Sequence, residues 1–242
     1  MATSDDREIR TRVLQANRDL VRMGLVQFTW GNASAVDRAR GLVYIKPSGV
    51  DTDTMTIDDI VAINLLDGSV VSGYVRPSTD TPTHLALYRA WPRISGVVHT
   101  HSEFATAMAQ QGMGLPAAGN THVCYFHGDI PVTRELIPDE IAAGYEASTG
   151  KAIVERFAQL ALDPTIVPGV LVDQHAPYTW GFSVEQAVMH AGVLEFLAKA
   201  YVHGLSASPN RRRVSDALVE LFYQRKHSGA KTHRTPHPVP PR

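Results

Sequence analysis

Ile94-Ser95-Gly96-Val97-Val98-His99-Thr100-His101-Ser102 is an apolar run that ends in two histidines. Ile94 to His99 has the length and apolar continuity of a buried strand. Upstream, Thr81-Pro82 opens a helix, with Thr81 as N-cap and Pro82 at the first helical position. Downstream, a short helix runs from Ser102 to Gln111. A buried strand between two helices points to an α/β layering rather than an all-β barrel.

Toward the N-terminus, Ile9, Val13, Leu14, Leu20, Val21 and Met23 form the stripe of a helix over residues 7–23, stopped by Gly24. From Gln27 to Ile45 the pattern turns to short β runs, Phe28-Thr29-Trp30 and Leu42-Val43-Tyr44-Ile45, with Asp37 to Gly41 as a loop. Ile60 to Leu65 and Ser69 to Val71 flank Asp67-Gly68, a strong hairpin signal. Toward the C-terminus, Pro138 to Leu162 reads as helix and Val167 to Val172 as strand. Ser183-Val184-Glu185-Gln186 is a capping box. Behind it, Ala187, Val188, Ala191, Leu194, Leu197, Ala198 and Tyr201 line one face of a long helix. A last helix is expected over Arg213 to Gln224. Hairpin-linked strands early and helices among strands later predict a single α/β domain over residues 1–226, three-layered α/β/α around a largely antiparallel sheet. Residues 227–242, rich in His and Pro, read as a solvated tail. No G-x-G-x-x-G or P-loop sequence occurs, and the alternation is too irregular for a (β/α)8 barrel.

With 23 Lys plus Arg against 24 Asp plus Glu in 242 residues, the chain lacks the basic excess of a nucleic-acid binder. Charged residues at 19% and apolar ones at 44% are those of a globular protein. Cys124 is the single cysteine, so no internal disulfide forms. With no bilayer-length apolar run and no basic-then-apolar leader, a cytoplasmic protein without membrane or nucleic-acid partners is expected. The eleven histidines stand out, because imidazole is the commonest metal ligand.

His99 and His101, at i and i+2 on a strand, present two imidazoles to one face, the beginning of a divalent-metal site. The plain alternative is a pair of polar histidines bonded to loops. Asp80, in Pro77-Ser78-Thr79-Asp80-Thr81-Pro82, either caps the helix or joins the ligands. His175 ends Gly169-Val170-Leu171-Val172-Asp173-Gln174-His175, a second strand-then-His run; a core histidine satisfied by backbone is the alternative. One carboxylate and three imidazoles suit Zn²⁺, Mn²⁺, Co²⁺ or Fe²⁺, although spacing alone does not join residues spread over about a hundred positions. Lys46-Pro47-Ser48-Gly49-Val50 follows a strand with a turn that can aim amides at an anion. Ser78-Thr79 precedes a helix N-terminus, which favours phosphate, and Asn32 adds an amide. With a metal, these turns describe a pocket for a small, phosphorylated, oxygen-rich molecule.

Asn17, Thr29-Trp30-Gly31-Asn32, Ile45 to Val50, Pro77 to His84, His99-Thr100-His101-Ser102, Pro168 to Val172 and His175 together resemble the L-ribulose-5-phosphate 4-epimerase branch of the class II aldolase/adducin-head family. The resemblance runs from about Ile9 to Lys231. It implies an α/β/α fold and a fourfold homotetramer with sites between subunits. It also implies Zn²⁺, or Mn²⁺ or Co²⁺ in its place, on Asp80, His99, His101 and His175. Asn32, Lys46, Ser48, Gly49, Ser78 and Thr79 match its phosphate-binding set. The implied reaction breaks and remakes a C3–C4 bond of a phosphorylated keto sugar, with the ion as Lewis acid for an enediolate. An epimerase re-adds the aldehyde from its other face; an aldolase releases it.

The chain departs from that pattern at the acid/base positions. Cys124 stands where the epimerases carry an aspartate, and no tyrosine follows Tyr223 to match their C-terminal one. Phe222 replaces a family histidine. A thiol, with an ordinary pKa of about 8.5, is no isostere for a carboxylate of about 3.9; Cys124 is either a weak acid/base or a small buried residue. Candidate catalytic residues are therefore Cys124, Glu146 and His122, with Arg225 for the substrate; His127, Tyr145 and His233 are further replacements. Three readings follow: a metal-dependent 4-epimerase giving D-xylulose 5-phosphate, a class II aldolase that does not epimerise, and a non-catalytic scaffold like the adducin head.

Overall fold

A computed structural model describes residues 4–208 and 213–227. Its centre is one seven-stranded sheet in the order β4-β3-β2-β1-β5-β7-β6, antiparallel at every ladder. The strands are β1 (Asn32–Asp37), β2 (Leu42–Ile45), β3 (Val61–Asn64), β4 (Val70–Ser72), β5 (Gly96–His99), β6 (Gly169–Leu171) and β7 (Pro177–Gly181). The helices are α1 (Ser4–Arg22), α2 (Thr81–Ala90), α3 (Glu103–Gln110), α4 (Asn120–Tyr125), α5 (Pro138–Gln159), α6 (Val184–Ala207) and α7 (Asp216–His227).

Alternation along the strands sorts two cores. On one face Ala33, Ala35, Tyr44, Ala62 and Val98 pack against Val13, Leu20, Ala187 and Ala191 of α1 and α6. On the other, Val36, Val43, Ile45, Val61, Ile63, Val97, Tyr178 and Trp180 meet Leu85, Leu87, Tyr88, Ile153 and Phe157 of α2 and α5. This is the expected α/β/α layering. A third cluster, with Phe126, Ile130, Leu171 and Leu194, fills the end where α3 and α4 meet α6.

Several local expectations change. Phe28-Thr29-Trp30 is a turn, with Phe28 at φ 54°, rather than a strand. The strand that follows, Asn-Ala-Ser-Ala-Val-Asp, is poor in β-formers and is held by pairing with β2 and β5 and by Asn17. That side chain accepts from Ala33 N at 2.9 Å and donates to Val13 O at 2.7 Å, tying β1 to α1. Asp80, not Thr81, is the N-cap of α2, and Pro82 falls at the second helical position. Ser183 caps α6 by accepting from Gln186 N, while the Gln186 amide oxygen turns to Phe182 N at 2.7 Å instead of closing the box on Ser183. α5 is kinked at Gly144 (φ 139°, ψ 103°). α4 and β7 are elements the sequence reading does not assign. The expected boundary at 226 falls at the end of α7, and the tail from 228, with His233 and His237, lies outside the described residues.

Candidate metal and substrate site

The register of three strands assembles the site. Asn32 on β1 pairs with His99 on β5, and His99 pairs with Tyr178 on β7. All three lie on the α2–α5 face, because each is an even number of residues from Val36, Val97 and Trp180 of that core. The Tyr178 ring stacks on His99 (centroids 4.2 Å apart, planes at 18°). His101 leaves the end of β5, and His175 sits in the tight β6–β7 turn, whose backbone closes with His175 N on Val172 O at 3.0 Å. One ligand atom from each of His99, His101 and His175 lies within 4.8 Å of the other two.

His99 Nδ1 donates to Pro177 O at 3.0 Å, which leaves Nε2 as the nitrogen aimed at the cluster. That Nε2 lies 3.1 Å from His101 Nε2, close to the roughly 3.4 Å separating two nitrogens on one tetrahedral zinc. Nδ1 of His175 is buried without a hydrogen-bond partner among the described residues. Burial, then the neighbouring imidazoles, pushes His175 down to about 3 and His101 to about 4, so both are neutral near pH 7. Three converging imidazoles, one with an orphaned nitrogen, fit a divalent cation.

Asp80 is placed beside this cluster rather than within it. Its Oδ2 accepts from Asn32 Nδ2 at 2.6 Å and its Oδ1 from the Tyr178 hydroxyl at 3.2 Å. Burial raises its pKa, but His99, His84 and the Asn32 bond outweigh that and hold it below the usual carboxylate range. Although Asp80 occupies the N-cap, it makes no side-chain capping bond. The capping alternative is therefore corrected: the carboxylate faces the site.

The cluster opens into a cavity of about 350 Å³ lined by Asn32, Lys46, Ser48, Gly49, Ser78, Thr79, Asp80, Tyr145, Glu146 and the three histidines, with Trp30 at its edge. Its two turns, distant in sequence, are zipped together: Ser48 N donates to Arg76 O at 2.8 Å and Ser78 N to Lys46 O at 3.0 Å. Lys46 is buried, with Nζ on Thr29 O at 3.3 Å, and burial lowers its pKa. The Gly144 kink turns Tyr145 and Glu146 into the cavity, and Thr83 Oγ1 anchors the Glu146 carbonyl at 2.6 Å.

The Class II Aldolase and Adducin N-terminal domain profile matches residues 11–202. This chain belongs to the class II aldolase family. Among curated members, L-ribulose-5-phosphate 4-epimerase UlaF of Salmonella paratyphi C is 49% identical over 220 residues, 91% of this chain and 95% of that one. The same-named protein of Salmonella typhi aligns equally well, 49% identical over 220 residues. Among solved structures, an L-fuculose 1-phosphate aldolase superposes with a TM-score of 0.76 at 24% identity, covering 93% of this chain and 97% of its own. The L-fuculose-1-phosphate aldolase of Thermus thermophilus has a TM-score of 0.65 at 20% identity, over 84% and 98% of the two chains. These distant structures share the fold.

Not every candidate of this class II aldolase chain reaches its own cavity. Cys124 is on α4, its Sγ 4.0 Å from the Phe222 carbonyl of α7. His122 is buried on α4 with Nε2 on Gly128 O at 2.8 Å; burial lowers it to about 4. Arg225 lies over the Phe222 ring on α7. α4 and α7 pack on each other, and none of these three residues lines the cavity. His127, on the same side, meets Glu220 at 3.2 Å. Tyr178 is a site residue that sequence patterning does not single out; its signal is the alternation Tyr178, Trp180 on a strand, and its meaning depends on β5 lying next door. No helix among the described residues is long and apolar enough to cross a membrane.

Proposed function

We propose that this enzyme catalyses metal-dependent retro-aldol and aldol chemistry at C3–C4 of a phosphorylated keto sugar, epimerising L-ribulose 5-phosphate and D-xylulose 5-phosphate. The observation that carries this is that three converging imidazoles and two serine-bearing turns line one cavity. His99, His101 and His175 would hold the ion, with Asp80 within the same pocket; zinc, manganese or cobalt suits the donors. When bound, it supplies Lewis acidity toward a ketone and its neighbouring hydroxyl.

The residues do the rest. Asn32, Lys46, Ser48, Gly49, Ser78 and Thr79, which line the same cavity, meet the phosphate. Asp80, oriented by Asn32 and Tyr178, accepts a proton from a substrate hydroxyl. Glu146, aimed by the α5 kink, serves a second proton transfer. Cys124 and Arg225 act from the α4–α7 face of a neighbouring copy, with buried His122 supporting that face, in a homotetramer with sites between subunits. That assembly, in the cytoplasm, accounts for candidate residues grouped away from their own pocket.

Purified enzyme is expected to contain near-stoichiometric divalent metal and to convert L-ribulose 5-phosphate to D-xylulose 5-phosphate. Release of glycolaldehyde phosphate without epimer would identify an aldolase, the reading favoured by Cys124. Metal-free, inert protein would identify a scaffold.

A further inference from the structure

The indole of Trp30 lines the cavity but belongs to neither the imidazole cluster nor the serine turns. It is 53% exposed at the edge of the cavity, with its ring centroid 6.1 Å from that of His101 and 5.0 Å from that of Phe28, itself 76% exposed. Two large aromatics held in water beside a polar site are not explained by core packing.

The backbone that carries them is built, not loose. Phe28 has φ 54°, a left-handed conformation that a bulky side chain adopts only under constraint, and Gly31 has φ 77°. Gly31 abuts β5 so closely that a Cβ there would lie 2.8 Å from His99 O. Trp30 N donates to Gln27 O at 3.1 Å, and buried Lys46 grips Thr29 O. The loop between α1 and β1 is thus pinned to the strand that presents His99, with left-handed residues on both sides of the indole. Constraint of this kind at a pocket edge marks a placed side chain.

We propose that Trp30, backed edge-on by Phe28, is the substrate-covering wall of this site and contacts the C–H face of the sugar phosphate's carbon chain beside the imidazoles. The inference rests on the function proposed above. An indole face suits this role because it shields the reacting carbons from water and offers the hydroxyls no competing partner.

The test uses the metal-loaded enzyme and two phosphorylated α-hydroxyketones, L-ribulose 5-phosphate and dihydroxyacetone phosphate, screened by calorimetry. Trp180 is fully buried and Trp91 half-buried, so the red-edge emission reports Trp30. The bound sugar phosphate should quench or blue-shift it, and Trp30→Ala should abolish that change. Trp30→Ala should also raise KM at least tenfold with metal content unaltered, and Trp30→Phe should restore KM to within about threefold of wild type. Binding with unchanged emission, or Trp30→Ala with wild-type KM, overturns the wall alone. Trp30→Ala protein that loses activity only by dissociating in sedimentation reassigns Trp30 to a contact between copies and also overturns it. Binding of neither ketone overturns the functional reading and this inference together.

Discussion

Asp80 shows how a side chain can occupy a structural position without doing its usual work. Aspartate at an N-cap normally accepts from the first-turn amides. Here both oxygens are instead drawn to Asn32 and Tyr178. Asp80→Asn, which removes the charge and loses no cap bond but puts an amide N–H where one oxygen now accepts, should therefore lower kcat by about 10²–10⁴ while costing about 1–3 kcal/mol of stability. Steady-state rates and melting curves on the same preparation check this; a large fall in melting temperature with kcat retained per folded site would return Asp80 to a structural role. At this scale the sequence was legible for residue identity. His99 and His101 are legible as a pair from their i, i+2 spacing, although His101 lies past the end of β5, whereas the fate of Cys124 depends on its packing against α7.

Among the elements, α2 and α5 make the contact that aims the site, since α2 begins after Asp80 and α5 carries Tyr145 and Glu146. Gly150 lets them approach: a Cβ there would sit 2.6 Å from Ala86 Cβ and 3.2 Å from Thr83 Cα. Gly150→Ala should prise the helices apart at a cost of about 1–3 kcal/mol. It should raise KM as well, because Thr83 anchors Glu146; a lower melting temperature with unchanged KM would show that the helix pair does not aim the pocket. Periodicity locates α5 but not its kink, because Gly144 interrupts only φ and ψ while the apolar spacing continues on both sides. It likewise misreads Phe28 to Trp30, whose aromatic β-propensity is overridden by the tight approach of Gly31 to β5.

At the scale of the molecule, four imidazoles among the described residues are held neutral by burial: His84 and His175 near 3, His101 and His122 near 4. In the unfolded chain each titrates at about 6.5. Above that pH neither state takes up the proton, and their contribution to stability is complete. Below it the unfolded chain binds protons that the fold refuses, so stability falls as pH drops from about 6.5 toward 4 and 3. The denaturation midpoint of metal-free enzyme should decline steadily between pH 7 and pH 4.5; a flat profile would mean that the buried imidazoles are protonated in the fold.

Composition, helical periodicity and turn chemistry sufficed for the α/β class, the β3–β4 hairpin, the start of α2 though not its cap, the cap at Ser183, and the residue types able to bind metal and phosphate. Those signals are local, set by dihedral preferences and by burial along one segment. Convergence is not local. Asn32, His99 and Tyr178 become neighbours only because β1, β5 and β7 lie side by side, and His175 joins them through the β6–β7 turn. Strand order follows from packing both faces of the sheet at once, a balance spread over two helical layers and written in no single stretch of chain.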